Sequence, residues 1–261
     1  MVAAVAFTAG CGPEPCGGVG VICRVAGTGD AAFDGDGRAA DQTALYLPSA
    51  VRVGPSGRLV IVDYNNHRLR ELDDDGQVRT LAGNGEHAPS LPGGPATDSP
   101  LENPSDAAFA PNGELLFVSL HDPQLLVVRA GGTLERIAGT GEPGDDGDGG
   151  PAAAARFGEL AALAIGPDGS VFLADALAHR VRVVRPAGNV EAFAGTGISG
   201  GDGDGGPAVA ATLIRPEALV LDAAGNVYIA DAGGHRVRPS EGRTKGLDVL
   251  PDHYPANWPV K

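Results

Sequence analysis

The sequence predicts an all-β chain assembled from four-stranded antiparallel units, and three observations carry that expectation. The tetrapeptides that begin at Ala26, Ala82, Ala138 and Ala194 read AGTG, AGNG, AGTG and AGTG, a spacing of 56 residues kept three times without a gap. The same shift carries Gly57 to Gly113, Gly169 and Gly225, and Asp63 to Ser119, Asp175 and Asp231, so whole units recur. The 41 glycines, set beside only 5% aromatic residues, favour short strands and tight turns over long helices. Apolar residues make up 43%, enough for a buried core. A length of 261 residues would suggest two domains at about 150 residues each. Units that depend on their neighbours favour one repeated body instead.

Each unit resolves into four strands, here called A to D. In the first unit, residues 50–53 and 59–62 are apolar runs joined by the turn Gly54-Pro55-Ser56-Gly57. Residues 68–72 alternate in polarity, and Asp75-Gly76 turns the chain into residues 78–82. The third unit repeats the plan over 163–166, 171–174, 180–184 and 190–194, around Pro167-Asp168-Gly169 and Ala187-Gly188. The fourth has A at 218–221, B at 227–230 and a C strand from Arg236, and then the pattern stops. Four antiparallel strands per unit is the plan of a β-propeller blade.

Residues 21–26 (VICRVA) align one period before the D strands at 77–82 and 133–138. A surplus D strand at the start and a missing one at the end suggest a four-bladed ring closed by the N-terminal strand. The alternative is a truncated piece of a larger propeller. The expected division is a signal-like segment over 1–20, the propeller over 21–238 and an irregular tail over 239–261. That tail holds both lysines, Lys245 and Lys261, and the one tryptophan, Trp258.

The segment 201–208 (GDGDGGPA), Leu213, Pro216 and residues 222–238 (DAAGNVYIADAGGHRVR) together resemble the NHL repeat. The long Gly-rich form is similar to the NHL propeller of teneurins and their bacterial relatives. Units one, three and four share the pattern, whereas unit two has Ser119, Pro123 and Gln124 where Asp, His and Arg are expected. The resemblance implies about six blades in a full ring. It also implies relatives that include recognition domains, sensors and a few metal-dependent lyases and lactonases, so the site must choose the function.

Nineteen basic against 33 acidic residues gives a net charge of -14, which repels a phosphate backbone and argues against nucleic acid as a partner. All three cysteines, Cys11, Cys16 and Cys23, precede the first full repeat. Residues 1–10 (MVAAVAFTAG) are small and apolar and end directly before Cys11. This resembles a bacterial lipoprotein signal in which that cysteine receives lipid and attaches the chain to a membrane. Cys16 and Cys23 are then left as a pair able to form a local disulfide in an oxidising compartment. The expected location is extracytoplasmic, either secreted or lipid-anchored at the cell envelope.

On the face formed by the B to C loops and the D to A connections, Asp63 with His67, Asp175 with His179 and Asp231 with His235 recur. An Asp and a His four residues apart can hydrogen-bond across the loop, the carboxylate holding one imidazole tautomer. As binding residues these six would line a ligand face, but recurrence in three of the four blades favours a structural role, because a catalytic group is needed once. The connections also carry Asp34 and Asp36, Asp146 and Asp148, and Asp202 and Asp204 in Asp-Gly-Asp-Gly runs. Paired carboxylates on a glycine-rich turn could begin the oxygen shell of a Ca²⁺ ion, the one cofactor the spacing invites, while the simpler reading is a solvated turn. No nucleophile elbow, phosphate loop or zinc motif is present. The expectation is a non-catalytic scaffold that binds a protein or glycan, with a metal-dependent lyase or lactonase as the alternative.

Overall fold

In a computed structural model, described over residues 22–240, every one of these units is built of β-strands. The chain divides into two compact units, Met1–Leu116 with Val127–Glu135 and Phe117–Leu126 with Arg136–Lys261. In the first unit, β1 (Arg38–Ala39), β2 (Pro48–Val53), β3 (Leu59–Asp63), β4 (Arg68–Leu72) and β5 (Gln77–Ala82) form a sheet in the order β1-β5-β4-β3-β2. The second repeat supplies β6 (Pro104–Phe109), β7 (Leu115–Ser119), β8 (Leu125–Val128) and β9 (Leu134–Ala138), in the order β6-β7-β8-β9. In the second unit, β10 (Leu160–Ile165), β11 (Val171–Asp175), β12 (Arg180–Val184) and β13 (Val190–Ala194) form the third sheet. There β14 (Pro216–Leu221), β15 (Val227–Asp231) and β16 (Arg236–Ser240) form the fourth.

The B, C and D strands stand where the apolar runs and turns put them, because each pairs in unbroken antiparallel register with the strand before it or slips by a single residue. The A strands begin earlier than alternation indicates. Register shifts at Pro48/Ala50, Leu160/Ala162 and Pro216/Ala218 insert an extra residue near the start of each, and such a bulge breaks the two-residue period that makes a strand legible.

Between strands D and A the chain makes a short 3-10 turn whose first alanine is buried: Ala40, Ala96, Ala152 and Ala208. The N–H groups of Gly27, Gly83, Gly139 and Gly195 donate to the carbonyls of those alanines at 2.9, 2.9, 2.9 and 3.0 Å. The repeated AGTG segment is therefore a docking latch. Gly195 shows why glycine is needed there: its φ is +90° and a Cβ would lie 2.5 Å from the carbonyl oxygen of His179. In the second unit the apolar core joins the third and fourth sheets through Phe172, Val181, Phe193, Leu213 and Ile229, with Phe172 and Phe193 edge to face at 4.7 Å.

Of the two readings of the termini, closure by an N-terminal strand is not realised. Residues 22–26 form no strand, and among the described residues β16 pairs with β15 alone. Ile22 is 98% exposed, so the segment buries too little apolar surface to hold a strand; Ala26 packs against Ala40, Leu72 and Val78. The first sheet gains its extra strand from β1 instead. Residues 1–21 and 241–261, with Cys11, Cys16 and most of the irregular tail, lie outside the described residues. Pro239 and Ser240 belong to β16.

Candidate functional site

Strands B end on Asp63, Asp175 and Asp231, and all three carboxylates are fully buried. A buried carboxylate must find donors, and the loop that precedes strand A supplies one by bringing a backbone N–H to it. Tyr46 N donates to Asp63 Oδ1 at 2.7 Å, Gly158 N to both oxygens of Asp175 at 3.0 Å, and Ile214 N to Asp231 Oδ1 at 2.6 Å. Within the B to C loop, Asn66 Nδ2 donates to Asp63 and Ala178 N to Asp175. Burial pushes the Asp175 carboxyl up to about 6, against the pull of these donors, and it raises Asp63 and Asp231 as well.

The charge is met by the second arginine of each C strand. Arg70 and Arg182 are wholly buried and Arg238 nearly so. Arg70 NH1 lies 3.4 Å from Asp63 Oδ2, while its NH2 donates to Asp36 Oδ1 and to the Gly35 carbonyl, each at 3.0 Å. Arg182 Nε donates to Asp148 Oδ1 at 2.8 Å, its other nitrogens reach the carbonyls of Arg156 and Asp146, and its guanidinium lies 4.7 Å from the Phe157 ring centroid. Arg238 pairs with Asp204 and stands 3.8 Å from Asp231 Oδ2. Each blade that has the motif thus holds a buried aspartate, a buried arginine and the second aspartate of the Asp-Gly-Asp-Gly run.

Asp36, Asp148 and Asp204 therefore face a guanidinium, which stands where a shared cation would have to. Two of the first aspartates of the runs have other partners: Asp34 accepts from Ala44 N at 3.2 Å and Asp146 pairs with Arg156.

The histidines do not bond to the aspartates four residues before them. His67, His179 and His235 all take left-handed backbone with φ of 52°, 53° and 54°, which turns the side chain away from its own loop. His67 Nδ1 accepts from Asn103 N at 3.4 Å and His179 Nδ1 from Arg215 N at 3.2 Å. Each imidazole is a bridge to the start of the next repeat, and the residues it meets, Asn103 and Arg215, are themselves left-handed. The imidazole of His235 is exposed. Aspartate and histidine thus have different partners, because the next repeat offers an N–H that a two-strand view of the loop does not contain.

The sequence pattern marked the aspartates and histidines of these loops but not Arg70, Arg182 and Arg238. The signal was present in the second repeat, where Ser119, Leu126 and Pro92 replace all three members of the triad together. Ser119 and Leu126 are fully buried in turn.

Tandem antiparallel sheets of three to five strands, one to each repeat, place the chain among the β-propellers. The sequence model of the NHL repeat matches residues 45–72. The chain is 30% identical over 247 residues to Teneurin-4 of Homo sapiens, a match that covers 82% of this chain and 9% of that protein. The chain carries an NHL repeat over residues 45–72, and it spans about a tenth of the length of the teneurin it matches. Among solved structures it is similar to a gluconolactonase from Xanthomonas campestris, at 15% identity and a TM-score of 0.54, covering 76% of this chain and 59% of that one. It is also similar to a chain of the nidogen/laminin complex, at 18% identity and a TM-score of 0.53, covering 79% and 64%. At these identities the two structures speak for the fold alone.

Proposed function

We propose that the chain is a non-catalytic binding scaffold, working outside the cytoplasm, that recognises a protein or glycan through its B to C loops and D to A connections. The observation that carries this reading is the division of labour on those segments. The recurring carboxylates, guanidiniums and bridging imidazoles meet partners inside the chain. The side chains offered to solvent include large apolar ones: Phe33, Leu47 and Leu91 in the first unit, and Leu177, Ile198 and Val209 in the second, each at least 40% exposed. Exposed apolar groups on rigidly held loops suit recognition better than turnover. Cys23 is disulfide-bonded, which supports an oxidising compartment. Attachment through a lipid on Cys11 belongs to the same reading.

The rival class is the metal-dependent propeller enzyme, favoured by the fold shared with the gluconolactonase. Elemental analysis of the purified chain, with lactone hydrolysis measured before and after chelation, separates the two. The scaffold reading expects no stoichiometric divalent ion and no chelator-sensitive turnover. Stoichiometric metal together with turnover that chelation abolishes would overturn it.

A further inference from the structure

The two imidazole bridges are not alike, and the difference lies at positions the repeat does not share. Beside His67 stands His87, its ring stacked on that of His67 with centroids 4.6 Å apart and planes 12° from parallel. His87 Nε2 in turn lies 3.6 Å from Glu102 Oε1. One period away His87 becomes Ala31, Pro143 and Ser199, and Glu102 becomes Tyr46, Gly158 and Ile214. The pair is a single-copy addition to one junction. The groups that face His67 are Arg68, beside it at the start of β4, and His87, on the connection after β5. Glu102, on the connection before β6, meets His87 on its exposed side.

We propose that this stack makes the junction between the first and second repeats acid-labile, a device the His179 junction lacks. The neutral His67 imidazole accepts Asn103 N–H at Nδ1 and so carries its proton on Nε2. A second proton must go to Nδ1, where it turns the acceptor into a donor aimed at another donor. The new charge then stands against Arg68 and the face of His87. Burial, and then the charges of His87 and Arg68, hold His67 below the usual imidazole range. The sign follows: its contribution to stability is full above the ordinary imidazole pKa and is lost as pH falls below it toward the folded value. Asn103, held at a φ of 53°, then loses His67 Nδ1 as the acceptor of its N–H.

The test is residue-resolved amide exchange by NMR on the full chain at pH 7.5 and 5.5, read as protection factors at Asn103 and Arg215. One proton linked to opening changes the opening equilibrium by up to about tenfold per pH unit. The Asn103 protection factor is expected to fall more than that of Arg215, by a ratio of up to about tenfold. His87→Ser, which copies the residue at the corresponding position 199, should remove that excess and leave neutral-pH protection unchanged. Equal losses at the two amides, or an excess that survives in the His87→Ser chain, would overturn the proposal. Nitrogen shifts of His67 give a second reading: the Nε2–H tautomer is expected at pH 7.5, and an Nδ1–H tautomer would also overturn it.

Discussion

Replacing Asp175 with asparagine should change how the stability of the second unit depends on pH, by an amount the site itself fixes. The carboxyl is fully buried and its folded value is pushed up to about 6 from the usual 3.8, with burial the dominant cause. A rise of about 2 units is worth about 3 kcal/mol, because each unit is about 1.4 kcal/mol between the two protonation states. In the unfolded chain the proton leaves near 3.8 and in the fold near 6, so between those values the folded state binds more protons. Stability from this group is therefore full below about pH 4, declines as pH rises, and is flat above about pH 6. Other groups titrate in the same interval, His67 in the opposite sense, so the quantity to measure is the difference between parent and variant. Urea unfolding from pH 4 to 7.5 should show the Asp175→Asn chain gaining about 3 kcal/mol on its parent across that range. The asparagine amide opposite Gly158 N–H adds a constant offset that cancels. A difference that does not vary with pH would refute the reasoning, since the carboxylate would then not resist ionisation in the fold.

Arg182→Met should cost about 3 to 5 kcal/mol, because it leaves the fully buried Asp175 without the cation nearest it, Asp148 with Arg180 alone and the Arg156 and Asp146 carbonyls without their donor, whereas Arg58→Met at the exposed pair with Asp74 and Glu71 should leave the unfolding midpoint in place; urea titrations of both check this. Gly195→Ala should destabilise by at least about 2 kcal/mol, because the latch has no room for a Cβ, whereas Gly188→Ala, also at positive φ but with nothing within 4 Å of its Cβ, should cost about 1 kcal/mol. Thermal unfolding of the two variants separates strain from collision.

The architecture was written in the sequence because an ungapped period repeats every error and every success four times. The strands bracketed by loop and turn residues, such as β4 over Arg68–Leu72 and β12 over Arg180–Val184, stand at the bounds their residues indicate. What alternation could not show were departures from it: the bulged starts of β2, β10 and β14, and the added strand β1, two residues long. The site was legible as a set of residues and not as a set of contacts. Asp63 and His67 are four residues apart, so local reasoning paired them, but the fold brings Tyr46 N–H to one and Asn103 N–H to the other from positions 17 and 36 residues distant. The triad with Arg70 and Asp36 could have been found from the second repeat, whose Ser119, Leu126 and Pro92 change together. His87 and Glu102 carry no periodic signal, and only their proximity in space marks them.

The central claim is that the recurring polar residues hold the blades together, each with the partner the structure gives it. A pair of double-mutant cycles in the first repeat tests it most directly, by urea unfolding at pH 7.5. Asp63→Ala with Arg70→Met should show a coupling of about 1 to 3 kcal/mol, because these fully buried side chains share one interaction, while Asp63→Ala with His67→Ala should couple by less than about 0.5 kcal/mol. Strong coupling of Asp63 to His67, with none to Arg70, would contradict the account.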